Sequence, residues 1–182
     1  MTVGGSIPAP GEEIHVSLAL VNTRVAGAGG PLDRLSTREE LAEWYTQQAL
    51  PPARLAGQEL AAVHALRDDA RSVFAAIEHH APLPVPAVAR INQTASEPAH
   101  PALGSDRSLR WLPIASPSAP AALARDLINL STSSEATLLR TCAADDCDRM
   151  FLLPHGRQIW CSAQCGNRIR ARRHSTANTR MS

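Results

Sequence analysis

Residues 142–174 read CAADDCDRMFLLPHGRQIWCSAQCGNRIRARRH, and the spacing of the four cysteines decides the fold at this end of the chain. Cys142 and Cys147 form one close pair and Cys161 and Cys165 another, with thirteen residues between the pairs. Each pair can turn both thiolates inward and the spacer can return the chain, as a tetrahedral ion requires. Soft thiolates in that geometry select zinc, with an iron–sulfur centre the lesser alternative. Four protein ligands leave no open position, so the site is expected to be structural, not catalytic. His155 is a candidate to replace one cysteine, but it falls in the expected turn and four thiolates already suffice.

The residues around the ligands support a small module over 138–175. Arg149 to Leu153 (RMFLL) and Gln158 to Trp160 (QIW) are strand-like, and PHGR between them reads as a hairpin turn. After Cys161 the sequence is helical, with Ser162 near the helix start. The last two ligands then sit where backbone N–H groups and the helix dipole favour thiolate charge. Knuckle, hairpin and helix together make a treble-clef-like arrangement. The helix is basic: Arg168, Arg170, Arg172, Arg173 and His174 follow the last ligand, and Arg168 and Arg172 share a face. Guanidinium groups suit phosphates and base edges. They equally suit neutralising a zinc–tetrathiolate site, which is doubly negative, and both readings stay open. Aromatic residues are not interleaved with the arginines, so stacking on single strands is not indicated.

Across the 182 residues the hydrophobic fraction is 44% and the aromatic fraction 3%, so the core must be built from alanine and aliphatic side chains. Lysine is absent. Net charge is +1, but it is unevenly placed: residues 140–182 hold eight arginines against three aspartates, and the remainder holds ten against fourteen acids. A mildly acidic body with a basic end points towards nucleic acid. The start of the chain lacks the pattern of a leader, and no stretch approaches the roughly 20 apolar residues of a membrane span. A cytoplasmic location is expected, where thiols stay reduced and clustered cysteines favour a metal over disulfides.

Residues 14–133 read as a mainly helical domain with a little β, between flexible ends at 1–13 and 176–182. Ile14 to Thr23 is apolar and is helix or strand. Val25 to Pro31 is a Gly-rich loop. A helix opens at Ser36 or Thr37, each followed three residues on by a glutamate in a capping-box pattern, and Pro51 and Pro52 close it. A longer helix over 58–80 carries Leu60, Val63, Leu66, Ala70, Val73, Phe74 and Ile77 on one face. His79 and His80 lie in its last turn. A short helix near 86–95, a strand at Ser108 to Leu112 and a helix from Pro120 to Asn129 follow. No phosphate loop, zinc-protease motif or nucleophile elbow occurs, and an enzyme is not expected. Asp68 and Asp69 point apart on their helix and read as solvated surface. His15, His64 and His100 are single and read as structural or exposed.

The sequence resembles a known bacterial family at these residues. Cys165-Gly166-Asn167-Arg168 is the tetrapeptide that names the CGNR zinc fingers, and the similarity runs from Cys142 through Phe151 and Trp160-Cys161-Ser162 to His174. The N-terminal part resembles the ABATE domain that accompanies those fingers. The similar stretches are Leu18 to Arg24 (LALVNTR), PLDRLSTREELAEWY, Ala65 to Ile77 and Ala89 to Asn92 (ARIN). The segment FLLPHGR departs from the family, whose members often carry an acidic residue after the phenylalanine. The resemblance implies stress-induced transcription regulators with a mostly helical N-terminal domain. It implies one zinc on the four cysteines and DNA binding by the finger, with Arg168, Arg170, Arg172 and Arg173 contacting mainly phosphates. A lone finger has a small footprint, so specific binding would need a homodimer. The alternative is a zinc-stabilised protein-interaction module whose basic helix docks on an acidic partner or on the body.

Overall fold

The computed structural model describes residues 7–26, 30–52, 58–96, 99–113, 118–153, 156 and 158–179. The apolar segment IHVSLALVNT forms a short helix, α1 (Val16–Val21), in which every residue from Ser17 to Val21 is buried. A helix covered on all sides shows no amphipathic period, which is why the sequence left helix and strand equal there. Two short strands follow, β1 (Arg24–Val25) and β2 (Leu32–Asp33), paired antiparallel.

Helix α2 (Arg38–Gln47) is opened by Thr37 and not by Ser36. The Thr37 hydroxyl accepts from the Glu40 N–H at 3.2 Å, and the Glu40 carboxylate accepts from the N–H groups of Thr37 and Ser36. Helix α3 (Glu59–Glu78) buries Val63, Leu66, Ala70, Val73 and Phe74 along the expected face. It stops at Glu78, with His79 as C-cap and His80 exposed in the left-handed region at φ 52°. Helix α4 (Val85–Ala95) turns Ala87 and Ile91 inward. Next comes an antiparallel hairpin, β3 (Ala99–Leu103) with β4 (Leu109–Pro113). β4 holds the expected strand. Its partner AHPAL gives no strand signal, because alanine is a poor strand former and proline, lacking an N–H, is confined to edge strands. The side chain of His100 lies outside the described set. Helix α5 (Ala119–Thr132) is capped by Ser118 and carries Pro120 in its first turn, where a missing N–H costs nothing. The helical core gathers Leu18, Tyr45, Phe74, Ile91, Leu123 and Leu127.

Polar ties fix this body. Arg67, 3% exposed, binds both Asp33 oxygens at 2.7 and 2.6 Å and the Thr23 hydroxyl at 3.1 Å. Burial acts to raise Asp33, but the Arg67 hydrogen bonds and charge outweigh it and hold the carboxyl below its ordinary value. His15 is buried, not exposed, and its ring meets Asp126 and Glu135 at 3.4 and 3.1 Å. His64 bonds the Leu35 carbonyl. Asp68 is exposed as expected, but Asp69 is buried and forms a two-bond pair with Arg90 of α4. The adjacent aspartates do point apart. The solvated reading fails for Asp69 because it faces the α4 side of the helix, where an arginine compensates it.

After α5 a 3-10 turn (Ser134–Leu138) leads into β5 (Leu139–Thr141), which pairs antiparallel with β6 (Met150–Leu152). This is the hairpin of the C-terminal module, and its composition differs from the expected one. Met150–Leu152 does pair, but with the strand before the cysteines and not with Gln158–Trp160. Leu139 secures β5 by entering the helical core, and Glu78 accepts from the N–H and hydroxyl of Thr141. Of the expected turn 154–157, only Gly156 is described; His155 lies outside the described residues. Helix α6 (Ala163–Thr179) is the last element among the described residues.

The N-terminal lead-in is also not loose over residues 8–13. Ala9 is fully buried, and the Pro10 carbonyl accepts from Leu152 N–H at 2.8 Å. Gly11 sits at φ 96°, and a Cβ there would meet Leu152 at 2.8 Å, so only glycine lets the segment lie this close to β6. At the other end, α6 runs through 176–179, which were expected to be flexible.

Candidate metal centre and the basic helix

The hairpin and α6 position four sulfurs. Cys142 follows β5 directly, and the chain turns through a knuckle in which the Cys147 N–H donates to the Ala144 carbonyl at 2.9 Å. The segment before Cys161 crosses this knuckle, and Ala143 N–H donates to the Ile159 carbonyl at 2.9 Å. Cys165 lies in the first turn of α6, where its N–H donates to the Ser162 hydroxyl at 3.3 Å. The four Sγ atoms all lie within 4.8 Å of one another, with Cys147–Cys161 at 3.8 Å and Cys161–Cys165 at 3.6 Å. Thiolates at tetrahedral positions about 2.3 Å from zinc stand roughly 3.8 Å apart. The donor set and its spacing therefore fit one tetrahedral metal ion. Cys142, Cys161 and Cys165 are buried and Cys147 is half-buried. Phe151 and Ile169 are buried beside them, with Trp160 partly buried against the same cluster.

Four thiols at this distance cannot ionise independently. Hydrogen bonds from the Cys147 and Cys161 thiols hold Cys142 well below the thiol range, helped by the N–H groups of Cys161 and Ala144. Donating to Cys142 pushes Cys147 up, and Cys161 moves the same way. An ion that takes all four as thiolates must displace the remaining protons, so affinity falls as pH falls.

The arginines of α6 divide by role. Arg168 donates from Nε and Nη2 to one Asp146 oxygen at 3.0 and 2.8 Å, and Arg172 donates to the other at 2.8 Å. Nη2 of Arg168 also reaches the Cys165 sulfur at 3.5 Å. Arg168 thus ties the first knuckle to α6 and offsets thiolate charge, as the neutralising reading expects. The Arg168 hydrogen bonds hold the Asp146 carboxyl below its usual value. Arg170 is exposed, lies over the Trp160 ring with its guanidinium 5.7 Å from the centroid, and donates to the Asn167 side chain. Arg172 is exposed. The side chain of Arg173 lies outside the described set.

Asp146 was legible only as charge. Its signal was an acid inside the first knuckle facing two arginines one helical turn apart. Trp160 is the other residue whose role the sequence did not expose. A Cβ on Gly166 would stand 3.1 Å from its ring and 3.4 Å from Arg170, so the glycine of the tetrapeptide admits both.

A mostly helical domain joined to a four-cysteine hairpin-and-helix module defines a zinc-finger protein with an N-terminal helical domain. Two family models match in that order. Residues 15–134 match ABATE, described as "Putative stress-induced transcription regulator", and residues 139–177 match the CGNR zinc finger. The chain belongs to the ABATE family and carries a CGNR zinc finger at its C-terminal side, with four cysteines placed for one structural zinc. No curated protein matches it significantly. Among the described residues no helix is long and apolar enough to cross a membrane.

Proposed function

We propose that the chain is a cytoplasmic transcription regulator of the stress response that works by binding DNA, not by catalysis. The observation that carries this reading is the exposure of Arg170 on a helix whose first turn carries the candidate ligand Cys165, with Arg172 exposed beside it although it also donates to Asp146. Arg168 is assigned to the finger's own integrity. Arg170, Arg172 and Arg173 are assigned to phosphates, which gives salt-dependent affinity with little base reading. A single short helix supplies few contacts, so a homodimer on two half-sites completes the proposal. The scaffold alternative has less support, because the described partners of Arg168 and Arg170 lie within the finger and not on the body.

The test is duplex-DNA binding by fluorescence anisotropy across a salt series. The affinity should fall steeply with salt. Arg172→Ala and Arg173→Ala should each lower the slope of log K against log salt by about 1. No binding at low salt, or an unchanged slope in the double variant, overturns the reading.

A further inference from the structure

Where the helical body meets the finger, a cleft of about 190 Å³ is lined in part by Arg24, Arg67, Asp68 and Arg71 of the body and Asp148 of the finger. Some described arginines are matched closely by carboxylates, as in Arg90–Asp69 and Arg149–Glu12, the latter at 2.7 Å. Two of the cleft arginines, Arg71 and Arg24, are matched more loosely, whereas Arg67 is held by both oxygens of Asp33. Arg71 donates to three carbonyls, of Asp148, Val21 and Arg24, at 2.9, 3.1 and 3.0 Å. Carbonyls satisfy its hydrogens but carry no full charge. The Asp148 carboxylate stands 3.4 Å away and accepts from the Ala26 N–H at 2.6 Å. Arg24 reaches Asp68 only at 3.9 Å. Arg67 uses both terminal nitrogens on Asp33 and Thr23, while its buried Nε has no hydrogen-bond partner. Burial, with smaller contributions from the charges of Arg67 and Arg24, holds the Arg71 guanidinium below its ordinary value, and Asp148 and Asp68 oppose this.

We propose that this cleft binds a small oxyanion of the carboxylate or phosphate class, held by Arg24 and Arg71 with Arg67 behind them. Guanidinium groups recognise such anions through paired, charge-assisted hydrogen bonds. The volume admits a small molecule and not a polymer backbone, and the ligand must displace the loose contacts of Asp148 and Asp68 with Arg71 and Arg24. The ligand sits on the joint between body and finger, because an anion on Arg71 competes with Asp148 for the same guanidinium. Occupancy of the cleft then alters how the finger's first knuckle is held. This inference is independent of DNA binding by α6.

The experiment uses the zinc-loaded full chain, titrated with inorganic phosphate and separately with malonate at constant ionic strength, with chloride as the reference ion. Amide NMR signals of Ala26, Arg71 and Asp148 should shift saturably with at least one anion and not with chloride. The anion that binds more tightly decides between phosphate and carboxylate. Arg24 is 55% exposed, so Arg24→Ala and Arg24→Gln should keep zinc content and melting temperature while weakening binding about tenfold. Absence of saturable shifts with both anions, or binding unchanged in both variants, overturns the proposal.

Discussion

Asn22 uses both ends of its carboxamide on one residue of the finger. Its Nδ2 donates to the Met150 carbonyl at 2.7 Å, and its Oδ1 accepts from the Met150 N–H at 2.9 Å. It is 4% exposed, so it acts as a single-residue strand beside β6. Asn22→Ala leaves a buried N–H and a buried carbonyl unpaired and should cost about 2–3 kcal/mol, read by urea denaturation of the zinc-loaded chain. A loss below about 0.5 kcal/mol would mean that water replaces the amide. Gly166 presents a balance of opposing effects. Alanine gains about 1 kcal/mol of helix propensity, but crowding Trp160 costs about 1–3 kcal/mol. Gly166→Ala should therefore give no net stabilisation and should shift the Trp160 fluorescence; a clear gain in melting temperature would show that the ring moves aside freely. The four ligands were legible from spacing alone, since the chemistry of a tetrahedral ion dictates it. Asn22 and Asp146 were not, because a side chain's partner a hundred or twenty residues away leaves no local pattern.

At the scale of elements, amphipathic α3 and capped α2 were readable because their signals are local. The pairing of the finger hairpin was not. MFL is apolar without alternation, and all three residues of β6 are buried, so the strand has no solvent face to reveal its partner. Met150 and Leu152 face the helical core, while Phe151 joins the cysteine cluster. Removing the metal should therefore affect the two sides unequally. Chelation should strip hydrogen-exchange protection from the 142–149 knuckle and from α6. Protection of β5 and β6 should persist, because Asn22, Glu78 and Pro10 hold them from the body. Equal loss across 139–179 would show that the hairpin depends on the ion. Loss should also begin earlier at lower pH, as protons compete for the thiolates.

For the whole molecule, the family models divide the chain near residues 134–139, but the packing does not. Arg149 bonds Glu12 at 2.7 Å and the Ile7 carbonyl at 3.0 Å, and Arg71 bonds the Asp148 carbonyl, so charged ties join the two parts beyond the shared core. The zinc-loaded chain should melt in one transition by both far-ultraviolet circular dichroism and tryptophan fluorescence. Two separated transitions would mean that the finger behaves as an appended unit. The two-sided burial of β6 also sets how the protein can be divided in the laboratory and, by the same logic, in evolution. A fragment spanning 139–177 would present Leu139, Met150 and Leu152 to water as an uncovered oily face, a candidate for aggregation with or without zinc. The finger is therefore poorly suited to transfer onto another protein unless the recipient supplies a matching apolar seat.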